Sequence, residues 1–143
     1  MNEKTLSSFR TKPMFRAVVV ASASVLLLSP SLSQDRQGAD VASGQLAFNN
    51  SCRTCHSVKE GDNRLGPNLY KVVGRKAGSL PNYGYSAAMK NADFVWDKRK
   101  LDQFIADPDA VVRGNNMKPY GGLASADTRA KVIAYLESVT TGQ

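Results

Sequence analysis

Apolar residues recur at helical spacing in three stretches of this chain. In the last stretch Val132, Ile133, Leu136 and Val139 form one stripe. Ser125 stands before it as an N-cap, so a helix is expected from Ala126 to about Val139. In the middle stretch Asp97 is placed to cap Lys98 to Ala106, with Leu101, Phe104 and Ile105 on the apolar face. Pro108 is expected to end that helix. The first stretch predicts a helix from about Val41, capped by Asp40, in which Val41, Gln45, Phe48 and Cys52 occupy neighbouring positions. Gly44 inside it costs up to about 1 kcal/mol relative to Ala; a second helix crossing closely at that point accounts for it.

Between these helices the pattern is lost. Turn formers run through residues 57–81, including Gly61, Asp62, Asn63, Gly66, Pro67, Gly74, Gly78 and Pro81. A short helix near Ser86 to Asn91 follows, and residues 109–124 again read as loop. The fold class is therefore all-α, with three main helices plus short ones and no internal repeat. An irregular run this long argues against a compact domain unless something besides side chains fills the core.

The residues at the end of the first helix supply a candidate. Cys52-Arg53-Thr54-Cys55-His56 places two thiols and an imidazole at i, i+3 and i+4, which share one helix face. A Cys-x-x-Cys-His run is the attachment signature of c-type haem. The two cysteines form thioethers to the vinyl groups and His56 binds the iron. Other chemistries fit worse. A structural zinc site needs about four protein ligands, and the chain has no other Cys or His. A thioredoxin-like pair wants a βαβ context, absent around residues 40–75. A disulfide from Cys52 to Cys55 closes a very small loop and leaves His56 without a role. One covalently bound haem c per chain is the expected cofactor.

The sixth ligand must come from elsewhere. His56 is the only histidine, and beyond residue 33 the only thioethers are Met89 and Met117. Met89 falls in the short helix and is equally suited to filling core. Met117 lies in Gly114-Asn115-Asn116-Met117-Lys118-Pro119, a loop able to turn a side chain inward, and is the preferred ligand. His/Met ligation raises the reduction potential and closes both axial positions to oxygen and peroxide. The expected chemistry is then one-electron transfer. The alternative, an open sixth site on an enzyme or gas binder, requires Met117 to stay off the iron.

Residues 1–33 read as a secretory signal. Lys4, Arg10, Lys12 and Arg16 precede an apolar run from Ala17 to Leu28, and small residues follow at 29–33. Twelve residues span about 18 Å as a helix, short of the roughly 30 Å hydrocarbon core, so cleavage is expected rather than anchoring. Residues 34–143 then form one domain with fifteen basic and eleven acidic residues. That mild surplus lacks the dense basic stripe of a nucleic-acid footprint.

Cys52-Arg53-Thr54-Cys55-His56 is followed in order by Gly66-Pro67-Asn68-Leu69, Gly74-Arg75-Lys76 and Tyr83-Gly84-Tyr85-Ser86-Ala87-Ala88. Trp96, Asp107-Pro108, Met117 and Ile133-Ala134-Tyr135-Leu136 complete the series. From Gly44 to Leu136 the chain thereby resembles class I cytochromes c of the mitochondrial and alphaproteobacterial type. The resemblance implies a small fold wrapped around the haem. Pro67 would offer its carbonyl to His56, while Arg75, Tyr85 and Trp96 would hydrogen-bond or shield a haem propionate. Gly44 and Phe48 would pack on Tyr135.

It also implies a periplasmic carrier rather than an enzyme. As a monomer it would dock transiently, through the exposed haem edge, with a cytochrome bc complex and a terminal oxidase or a photosynthetic reaction centre. Phe104 stands where the family usually has a tyrosine bonded to the axial Met, Met89 where it has an asparagine, and Asn115 where it has a threonine. A less polar pocket on the Met117 side is expected. Ser51, Asp109, Ala110 and Asn116 replace lysines of mitochondrial relatives, so charge steering should be weaker.

Overall fold

The computed structural model describes residues 32–142. The basic and apolar segments of the expected signal lie outside the described residues. Within them the chain folds into five helices: α1 Leu32–Ser51, α2 Ala87–Lys90, α3 Lys98–Ala106, α4 Pro108–Val111 and α5 Ala126–Thr141. Among the described residues there is no strand, only an isolated antiparallel bridge between Lys76 and Val95. The fold is all-α.

Local chemistry sets most boundaries. The Asp97 side chain accepts from the Lys100 N–H at 2.6 Å, and the Ser125 hydroxyl accepts from the Thr128 N–H at 3.2 Å. Each satisfies an orphan donor of a first helical turn. Ser86 does the same for α2 through the Met89 N–H.

One expectation needs correction and two need refining. Asp40 does not cap α1, which begins at Leu32. It lies in the helix interior and adds to the negative charge, chiefly that of Asp127, that raises the Lys131 ammonium pKa. Gln45 is exposed, and the buried line of α1 is Gly44 and Phe48, four residues apart. Pro108 does more than end α3. Asp107 caps a new turn there, accepting from the N–H groups of Asp109 and Ala110, and a proline is pre-set for that first position.

The helix crossing is as close as Gly44 suggested. A Cβ there would collide with the Lys131 carbonyl and reach 2.9 Å from Tyr135 Cβ. The α1 and α5 backbones therefore touch at this point, with Phe48 against Tyr135 at a ring separation of 5.5 Å. Phe48, Val132 and Leu136 are among the most buried side chains, at 2 %, 1 % and 1 % exposed. Helix α3 packs on α5, and Arg129 ties the two together by donating to Asp102 at 2.7 Å and to the Leu123 carbonyl at 2.9 Å.

Candidate haem site

Beside this helical core lies a cavity of about 380 Å³. Its size and largely apolar lining suit a sizeable organic ligand. Cys52, Cys55, His56, Pro67, Arg75, Tyr85, Trp96 and Met117 all line it. Residues spread over 66 positions of sequence are thus brought to one cavity.

The cysteine segment sits just past α1 rather than within it. The Phe48 carbonyl accepts from both the Cys52 and Arg53 N–H groups, at 2.8 and 3.0 Å. The Cys52 carbonyl then accepts from Cys55 at 3.1 Å and from His56 at 2.9 Å. The regular helix stops, yet one more helical turn follows, so Cys52, Cys55 and His56 keep a common side. Burial pushes the Cys52 thiol up to about 11, and Cys55 adds to the shift. A raised thiol is the reverse of an activated redox cysteine, which disfavours the thioredoxin-like alternative.

His56 is 6 % exposed, and its Nδ1 lies 2.8 Å from the Pro67 carbonyl oxygen. A carbonyl only accepts, so Nδ1 carries the proton and Nε2 keeps its lone pair. Burial lowers the His56 pKa; the Pro67 hydrogen bond opposes that shift and the Arg75 charge adds to it. The neutral ring that a metal requires is therefore favoured. Gly66 makes the contact possible, because a Cβ there would run into the imidazole, 2.6 Å from Nδ1.

Arg75, in the irregular 57–81 run, and Trp96 beyond it build another wall. Trp96 N–H donates to Arg75 at 2.9 Å, and Gly74 N–H to Trp96 at 2.8 Å, so the small bridge sets Arg75 beside Trp96. The Arg75 guanidinium donates to the carbonyls of Asn68 at 2.9 Å and Tyr70 at 3.2 Å. Desolvation lowers its pKa while the neighbouring Tyr85 raises it. This is a fixed, half-buried cation of the kind a carboxylate seeks. Trp96 is wedged edge-on between Phe94 and Phe104, at 4.8 and 5.0 Å.

Met89 and Met117 both line the cavity. Met89 is a core residue at 7 % exposed, whereas Met117 is partly buried on the loop after α4. Sequence reasoning missed Tyr120, which also lines the cavity and donates its hydroxyl to the Ile105 carbonyl at 2.9 Å. Burial pushes its pKa to about 12, with smaller effects from Cys52 and Arg129. An aromatic between Pro119 and Gly121, three residues past Met117, was the available clue.

The family model described as "Cytochrome C oxidase, cbb3-type, subunit III" matches residues 39–136. Cytochrome c type-1 of Ascaris suum is 37 % identical over 98 residues, 68 % of this chain and 87 % of the relative. Cytochrome c2 iso-2 of Magnetospirillum fulvum is 42 % identical over 62 % of this chain and 91 % of its own length. The solved structure of cytochrome cH from Methylobacterium extorquens superposes with a TM-score of 0.64 at 37 % identity, covering 69 % of this chain and 98 % of that one. The chain belongs to the class I cytochrome c family. Its cofactor is covalently attached haem c, and its class is electron carrier rather than enzyme. The donor set fits that group: two thiols and a neutral imidazole on one side of an apolar cavity, with a half-buried arginine on its wall. Among the described residues no helix of this cytochrome is long and apolar enough to cross a membrane.

Proposed function

We propose that this cytochrome is a periplasmic one-electron carrier with His56 and Met117 as axial ligands, serving a cytochrome bc complex as donor and a terminal oxidase or photosynthetic reaction centre as acceptor. The observation that carries the reading is the convergence of Cys52, Cys55, His56 and Met117 on one cavity, with His56 Nδ1 engaged by Pro67. The haem iron supplies the one-electron couple. The chain's residues hold their positions around it. Pro67 fixes the imidazole tautomer, Arg75 and Tyr85 offer polar partners to the propionates, and Trp96 shields them. Between the two methionines, Met117 is favoured because it sits on a loop, whereas Met89 is already committed to helix and core. Export fits the signal read at residues 1–33, with residues 34–143 as the mature carrier.

The rim of the cavity indicates how partners are met. Lys118 pairs with Asp109, and Arg64 with Asp62 at 3.3 Å. These pairs neutralise two of the cations that remain beside the lysines replaced at Ser51, Asp109, Ala110 and Asn116, while Leu65 stands 78 % exposed on the cavity lining. Docking then relies on a small transient contact more than on charge. The ligation is tested by the near-infrared absorption of the ferric haem-loaded protein. An iron–thioether band lost in Met117→Ala and kept in Met89→Leu is the expected result. A band absent from the unaltered protein, with rapid carbon monoxide binding, would give the open-site reading instead. For docking, second-order electron transfer to a lysine-recognising oxidase should fall less steeply with salt than it does for a lysine-ringed cytochrome.

A further inference from the structure

The loop carrying Met117 is held by an arrangement of side chains that ligation does not by itself require. Asn115 is 5 % exposed. Its Oδ1 accepts from the Met117 N–H at 2.9 Å. Its Nδ2 donates to the Val112 carbonyl at 2.9 Å and to Asp109 Oδ1 at 2.9 Å. The Met117 N–H can only donate and the Val112 carbonyl can only accept, so the orientation of the amide is fixed. The second carboxylate oxygen of Asp109 takes the Lys118 ammonium. One carboxylate on α4 therefore grips the residues on both sides of the Met117 peptide, and Asp107 orients that turn through the Asp109 N–H at 3.1 Å. Both hydrogens of the Asn115 amide are used, and no isosteric apolar side chain reproduces three bonds in three directions.

We propose that Asn115, braced by Asp109, is the positioning residue for Met117, holding its backbone so that the thioether is presented to the iron and slow to leave it. The proposal rests on Met117 being the sixth ligand. Its prediction concerns how fast the ligand opens, a property that ligand identity alone leaves free. In a chain without the clamp, Met117 would hang on a loop of Gly, Asn and Pro residues whose next side-chain tie is Tyr120, three residues on, donating to the Ile105 carbonyl.

The experiment is cyanide binding to the ferric haem-loaded full chain, in which Met117 must leave before cyanide enters, read beside the near-infrared thioether band. Asn115→Ala should bind cyanide about tenfold faster, the factor expected from the lost bond to the Met117 N–H alone. Asp109→Ala, a surface change that leaves the cavity lining intact, should bind faster by a smaller factor. Lys118→Gln should change little, because Asn115 retains its carboxylate. Ile133→Val, a core change at a residue that does not line the cavity, serves as the control for general loosening. Rates unchanged in both Asn115→Ala and Asp109→Ala, with the band present in the unaltered protein, overturn the clamp. So does an equal acceleration in Ile133→Val at the same denaturation midpoint. A band absent from the unaltered protein overturns the ligation reading instead.

Discussion

The α1–α5 crossing and the 112–123 loop hold two parts of one molecule by different physics. At the crossing, Gly44 brings two helix backbones together and Phe48, Val132 and Leu136 are removed from water. Burial and close packing carry it. Around Met117 the side chains of Val112 and Asn115 are buried as well, but hydrogen bonds donated by Asn115 to Asp109, by the Met117 N–H to Asn115 and by Tyr120 to Ile105 give the loop its shape. The crossing should therefore govern whether the protein folds, and the loop how the iron behaves. A dense helical core leaves the loop of Met117 free to be tuned.

The largest effect expected from breaking this division is on the helical side. Phe48→Ala should cost about 4 kcal/mol, seen as a lower urea midpoint of the haem-loaded protein, with the thioether band unchanged while it remains folded. A band lost before unfolding would show that the two regions are not separate. Gly66→Ala comes next. Its new methyl meets the His56 ring, so about 2 kcal/mol of overpacking should appear together with altered visible absorption, because the imidazole itself must move. Unaltered absorption with an unaltered midpoint would mean that the ring does not need the gap.

Phe104→Tyr probes the other side. Phe104 lines the cavity with its ring against Trp96, and an added hydroxyl should stabilise the ferric form. The reduction potential should fall while the stability changes by no more than about 1.5 kcal/mol. A potential equal to or above that of the unaltered protein would count against the apolar-pocket account. The smallest effect belongs to Lys76→Gln, which removes the surface pair with Asp93 at 3.3 Å. No measurable change in stability or potential is expected of so exposed a pair.

Much of this was legible in advance. Helix α3 runs from Lys98 to Ala106 as its cap and apolar face indicated, and α5 starts where Ser125 placed it. Both carry strong local signals, a capping side chain and a buried stripe. The start of α1 was not legible, because Gln34, Asp35, Arg36 and Gln37 suit a helix as well as a linker, and Asp40 mimics a cap within it. Helix α4 was missed because Pro108 reads equally as a stop and as a first helical residue. Tyr120 and the Asn115 bonds were invisible because their partners, Ile105 and Asp109, are defined only by how the loop folds back.

The sequence by itself determined the chemistry: Cys52, Cys55 and His56 lie within five residues, and a helical turn is enough to align them. It also determined the helical core, since apolar periodicity and caps act over a few residues. No local pattern reaches the contact of Pro67 with His56 or the placing of Arg75 beside Trp96, which only the resemblance implied, and tertiary structure alone decided that Asp109 braces the loop of Met117. Each of those contacts crosses an irregular segment, where no period constrains direction and the closing of the chain around one cavity fixes the geometry.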